Sequence, residues 1–393
     1  MQSPTHPGQR ILLRRQSLGL SRQVLAGLVG RSSEWLRRIE NGSRELDSIS
    51  VTLQLASILK FEHLDELLDL GHETVQWGRP RTGLSAELRI ELALPVWLGH
   101  HRAYQDTAAD LDRLRQLWWY APHRISELDR GLVELIPTSR ANRQLRPGDP
   151  GCAGDEVDVL NLARSYLTFV GERGLALMLA ERAMVISEAS SDTAAAVALR
   201  GLALAHLQNR QFVAALALAT AGAERIGSGS PIAQGSLLGI GAKAAAQLAD
   251  HAQAARLIDR ARLAAAAVGP DRQERGVWFG PGDVALTEMT LAWIAGEHDK
   301  IVAIAEHWSV QGAHLPPHIR IPFHALIAAV YARSGEVGTA MTQLHHIEQL
   351  SPEALVHNTM VHIALRSLTT THHPIFTREI QRMTAAVRAW RAR

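Results

Sequence analysis

Ser33, Glu34, Arg37 and Arg38 fall on what the spacing predicts to be the outward face of one short helix, and their side chains carry groups that read nucleic acid. An arginine fork matches the two acceptors on the major-groove edge of guanine, and a glutamate accepts from the amino group of cytosine. Arg22 and Arg44 add positive charge beside predicted helix ends, where backbone N–H groups hold phosphates and fix register. The chemistry on offer is recognition of a duplex rather than bond making.

Such a helix works only if other elements present it. Ser21 is placed to cap a first helix by accepting a backbone N–H bond, and Ser32 to cap a second. Leu25, Val29, Leu36 and Ile39 supply apolar contacts that clamp the two at a steep angle, with Ala26 small at the crossing. Gly30 provides the positive φ that the short turn needs, and Asn41-Gly42 ends the second helix in a left-handed cap.

Together with the Arg10-Ile11-Leu12-Leu13-Arg14-Arg15 helix, the Gly19-Leu20-Ser21 entry and the Ile39-Glu40-Asn41-Gly42 ending, this segment resembles the XRE family of λ-repressor-like helix-turn-helix domains. The resemblance covers about Gly8 to Leu70, with Ser48 to Leu59 matching the fourth helix and Phe61 to Leu68 the fifth. It implies base-contacting positions at Ser32, Ser33, Glu34, Arg37 and Arg38, and phosphate-contacting positions at Ser21, Arg22 and Asn41. Arg22 stands where the family usually has Gln, and Arg31 replaces a common Val in the turn. Both add charge suited to phosphate, so Arg31 and Arg44 join that set, but a base preference does not transfer. Trp35 is bulkier than the usual Ser or Thr and is expected to pack under the helix rather than meet a thymine methyl.

The rest of the 393 residues sets the context. Through position 44 there are eight arginines against Glu34 and Glu40, a net of +6, which leaves −4 on the remainder of a chain whose total is +2. A basic head on a mildly acidic body suits a polyanion-binding domain joined to a protein-facing one. With 46% hydrophobic residues, rich in Ala and Leu, the chain can bury helical cores and is not disordered. Cys152 is the single cysteine, so no intrachain disulfide forms and an incidental buried thiol is expected. Met1 to Gly8 lacks the apolar core of a signal peptide, and no apolar run is long enough for a membrane span, so a cytoplasmic location is expected.

Three regions are expected: a DNA-binding domain over 1–75, a helical connecting region over 76–150 and a repeat domain over 151–393. Gln76 to Gly83 reads as a first linker, a helix start lies at Asp106 to Asp110, and Pro137 to Gly154 reads as a second linker. Beyond it the sequence repeats. Ala176, Ala215 and Ala254 stand 39 residues apart, as do Ile301 and Ala340, with a longer step of 47 between the two sets around Gly269-Pro270 and Gly280-Pro281-Gly282. A small residue near the start of the second helix of each pair lets the first approach closely, so pairs stack. The array resembles tetratricopeptide repeats, and the expected fold is all-α: a five-helix λ-repressor-like domain followed by a tetratricopeptide-like α-solenoid.

Other candidates are weaker. The pairs His100-His101, His345-His346 and His372-His373 diverge on a helix and match no zinc spacing, so no metal is expected. Trp97 and the Trp118-Trp119-Tyr120 cluster read as core or a dimer contact. No nucleophile–base arrangement or phosphate loop is present, so neither catalysis nor a cofactor is expected. The layout resembles the helix-turn-helix plus tetratricopeptide regulators of Gram-positive bacteria, including actinobacterial ones and the peptide-responsive type. That resemblance implies a dimer on double-stranded DNA and a peptide, protein or small-molecule effector in the repeat domain. The competing readings are a protein-interaction scaffold with a vestigial head, or an antitoxin or phage-type repressor acting with a partner protein. A vestigial head would have no reason to keep the basic face of residues 31–44.

Overall fold

A computed structural model describes residues 7–44, 46, 51, 54–55, 58–59, 85–93, 104–311, 315–370 and 375–392. The described residues are almost wholly helical and fall into two compact units, residues 1–79 and 80–393.

The first unit begins with α1 (Pro7–Ser17), α2 (Arg22–Leu28) and α3 (Ser33–Glu40). Ile11, Leu25, Leu36 and Ile39 meet in a core completed by Ala26, Val29, Trp35, Val51, Leu55 and Leu59. Of the helix expected over Ser48–Leu59, Val51, Gln54, Leu55 and Ile58 are described and helical. The expected fifth helix, Phe61–Leu68, and the Gln76–Gly83 linker lie outside the described residues, as do His100-His101, His372-His373 and Trp97. Arg14 Nε donates to the Leu59 carbonyl at 3.0 Å and ties α1 to the end of the core.

The second unit opens with α4 (Ala86–Ala93), α5 (Ala108–Tyr120) and α6 (Arg124–Leu145). Then come α7 (Pro150–Phe169), α8 (Arg173–Ser187), α9 (Asp192–Gln208), α10 (Phe212–Ile226), α11 (Pro231–Gln247) and α12 (His251–Val268). After a two-stranded hairpin the helices resume with α13 (Pro281–Ala295), α14 (His298–Gln311), α15 (Pro317–Ser334) and α16 (Val337–Leu350). The final elements are α17 (Pro352–His357), α18 (Thr359–Thr370) and α19 (Thr377–Ala392).

The repeat is set by its turns. Each pair from α7/α8 to α15/α16 is joined by two or three residues, one of them left-handed: Gly171, Arg210, Ala249, Gly296 and Gly335. Five residues later come Ala176, Ala215, Ala254, Ile301 and Ala340, all buried against the preceding helix, as the spacing predicts. The fold is all-α, a helix-turn-helix unit followed by a helical repeat.

Two departures have local causes. The irregular stretch expected over Pro137–Gly154 is helical except for Arg146–Asp149. Pro137 sits inside α6, and the next hydroxyl, Thr138 Oγ1, donates to the Glu134 carbonyl at 2.7 Å while neighbouring residues bury the helix. The long step between the repeat sets holds antiparallel β1 (Arg272–Glu274) and β2 (Val277–Phe279), turned at Arg275 and Gly276 with φ of 45° and 84°. Strands this short leave no alternation to read in sequence. The segments before and after the repeat pairs also meet. Ser351 Oγ donates to the Pro122 carbonyl at 2.8 Å, and Glu353 accepts from Ile125 N at 2.7 Å and Ser126 Oγ at 2.9 Å. No helix among the described residues is long and apolar enough to cross a membrane.

Candidate nucleic-acid interface

The apolar residues of α3 fix which way its polar residues point. Leu36 and Ile39 are fully inside, and Trp35, 8% exposed, packs beneath the helix as expected. That leaves Ser33, Glu34, Arg37 and Arg38 exposed together on the opposite face. Ser32 accepts from Trp35 N at 3.1 Å and starts α3, and Ser21 accepts from Val24 N at 3.2 Å and starts α2. Each cap occupies an oxygen lone pair and leaves the hydroxyl proton available to an incoming acceptor. Gly30 turns between α2 and α3 with φ +65°, and Arg31 N bonds the Ala26 carbonyl at 2.9 Å. At the far end Gly42, φ +73°, follows Asn41, and Ser43 N returns to the Arg38 carbonyl at 2.9 Å.

Two charge networks were not anticipated from the sequence. On the exposed face Arg37 grips Glu34 with both arms, Nε to Oε2 at 2.7 Å and Nη2 to Oε1 at 2.6 Å, while Arg38 Nε reaches Oε1 at 3.2 Å. The Arg37 hydrogen bonds, opposed by desolvation and aided by Arg38, hold the Glu34 carboxyl down at about 2. The i,i+3 and i,i+4 spacing was the available signal. To read separate bases the three side chains must first let go of one another.

The second network lies beneath. Glu40 is wholly buried and receives Arg15 Nε at 2.6 Å and Arg22 Nε at 2.9 Å, and Arg15 also donates to the Leu20 carbonyl at 2.8 Å. Arg22, proposed for phosphate, is thus anchored through its Nε while its side chain remains 36% exposed at the start of α2. Arg31 lies 5.8 Å over the Trp35 ring, and Arg31, Asn41 and Arg44 are exposed. The structure therefore puts Ser33, Glu34, Arg37 and Arg38 on α3 with Ser32 as its cap, Arg31, Asn41 and Arg44 in the segments that flank it, and Ser21 and Arg22 at the start of α2, where Arg22 reaches Glu40 at the end of α3.

Elsewhere a cavity of about 500 Å³ lies beside α5 and α6, lined by Asp106, Asp110, Glu127 and Glu134 against Arg113 and Arg130. Mixed charges of this kind give no convergent donor set. Trp119 and Cys152 are buried, and Tyr120 is exposed.

Residues 8–70 match the helix-turn-helix domain family. No curated protein matches the chain. Among solved structures the chain is similar to Bacillus thuringiensis PlcR in complex with the peptide PapR7 and DNA, at 13% identity over 67% of this chain and 96% of that one, with a TM-score of 0.29. A tetratricopeptide repeat protein from Parabacteroides merdae aligns at 14% identity over 71% and 100%, with a TM-score of 0.36. ComR from S. thermophilus, in complex with DNA and its signalling peptide ComS, aligns at 18% over 67% and 94%, with a TM-score of 0.23. At these TM-scores the structural likeness carries no weight. The chain carries a helix-turn-helix domain at residues 8–70, and all else stands on its own geometry.

Proposed function

We propose that the chain, with its helix-turn-helix domain at residues 8–70, is a transcription regulator that reads double-stranded DNA with α3. The observation that supports this is the division of α3: Trp35, Leu36, Ile39 and Glu40 are buried, and Ser33, Glu34, Arg37 and Arg38 are exposed. Laid in a major groove, that face puts arginine forks and a carboxylate against base edges. Ser21, Arg22, Arg31, Asn41 and Arg44 then hold phosphates on either side. One such helix buries too little for selective binding, so the working form is a homodimer on a palindromic or near-palindromic site. The helical repeat takes an effector and changes the affinity of the paired heads.

Fluorescence anisotropy with genomic fragments at two salt concentrations tests the DNA step. Arg37→Ala with Arg38→Ala should abolish preference for any one sequence, and binding left intact would remove α3 from the interface. Arg22→Ala should weaken binding to all sequences alike and flatten the salt dependence.

A further inference from the structure

Three cations lie along successive first helices of the repeat, and the one carboxylate that acts on any of them, Asp283, acts on two. Arg164 on α7 is 2% exposed; the one hydrogen bond of its side chain among the described residues runs from Nη2 to the adjacent Ser165 hydroxyl at 3.0 Å, and its Nε is buried without a partner. Arg200 on α9 donates from Nε to Ser236 Oγ on α11 at 2.9 Å. Lys243 stands seven residues beyond Ser236, on the same side of α11, and makes no hydrogen bond or ion pair among the described residues. The helices touch closely here: a Cβ on Gly201 would lie 3.4 Å from Arg164 Nε.

These charges feel one another. Burial, then Arg200, pushes Arg164 down to about 9; burial also lowers Lys243, opposed by Asp283 and aided less strongly by Arg200. Asp283 is likewise the carboxylate that acts on Arg200. His318 is driven down to about 3 by burial, then by Arg124 and Arg200, so its ring is neutral at pH 7. Beside it, Trp278 Nε1 and His318 Nδ1 are both buried without a hydrogen-bond partner, 6.0 Å apart by ring centres. Arg164 is buried, whereas Arg200 and Lys243 are half-buried and can reach an incoming ligand. A buried N–H left unpaired is costly, and the unmet groups here, the imidazole nitrogen excepted, are donors. Together they call for an acceptor-rich, negatively charged guest.

We propose that the second unit binds a small anion across α7, α9 and α11, its oxyanion group held by Arg164, Arg200 and Lys243 and its remainder accepting from Trp278 Nε1 beside the neutral His318 ring. This deepens the effector half of the regulator reading by naming the effector's chemistry, and phosphoryl or carboxyl groups both satisfy it.

Thermal unfolding of the full chain, without DNA, tests it with pyrophosphate and with citrate against sodium chloride at equal ionic strength. At least one anion should raise Tm by about 2 °C or more, and the rise should vanish in Lys243→Met and in Arg200→Gln. Lys243→Met removes an unpaired charge, so it should fold with a Tm no lower than the parent; if Arg200→Gln does not fold, Lys243→Met decides alone. A response to pyrophosphate only assigns a phosphoryl ligand, and to citrate only a carboxylate. No rise beyond the chloride control, or an equal rise in the variants, overturns the proposal. DNA binding is measured separately, so either reading can fail while the other stands.

Discussion

Glu40 ends α3 with no exposed surface, at the negative end of the helix dipole, and is tolerable there because Arg15 and Arg22 both bond it. Glu40→Ala strands the buried Arg15 guanidinium and should cost about 3–5 kcal/mol, seen as accelerated hydrogen exchange throughout α1, α2 and α3. On the opposite face, the Arg37 hydrogen bonds lower the Glu34 carboxyl to about 2. A depressed carboxyl contributes above its ordinary value near 4.5 and loses that contribution as pH falls toward 2. A carbon-detected NMR titration should therefore place the Glu34 midpoint near 2, and a midpoint near 4.5 would show the network does not form. Glu34→Gln frees both arginines, so affinity for all duplexes should rise while discrimination at one base pair falls by about 1–3 kcal/mol. The outward set on α3 was legible because its apolar partners sit at helical spacing. Glu40 was legible in principle, four residues after Leu36 and so on its face, but a charged residue there reads as a helix ending until its two cations are seen.

At the scale of elements, the repeat was legible through its small residues and obscured through its turns. Gly171, Gly296 and Gly335 announce the left-handed position, whereas Arg210 and Ala249 adopt the same φ of about 60° with a side chain attached. That conformation costs an L-residue roughly 1–2 kcal/mol. Ala249→Gly should recover about 1 kcal/mol in urea unfolding, and a loss would mean that the turn is not held left-handed. Close approach makes the opposite case at Gly235, where a Cβ would lie 2.1 Å from the buried Phe279 ring of β2. Gly235→Ala should destabilise the second unit by about 1–3 kcal/mol in the same measurement. The hairpin carrying Phe279 was hidden from the sequence by its three-residue strands, and the run of α6 through Pro137 by a proline that normally ends helices.

For the molecule as a whole, the feature least visible in sequence is the clasp between residues 122–126 and 351–353, since nothing local marks residues so far apart as neighbours. Glu353→Ala removes the acceptor of the Ile125 amide, and exchange at that amide should quicken more than at others in α6; unchanged protection would show that packing alone holds the clasp. The clasp also has a bearing on how the chain is made. The Ile125 amide and its acceptor are separated by 228 residues. At cellular synthesis rates the amide emerges roughly ten to fifty seconds before Glu353 exists. Through that interval the nascent protein carries an unmatched flank on the ribosome, the condition in which chaperones find their clients.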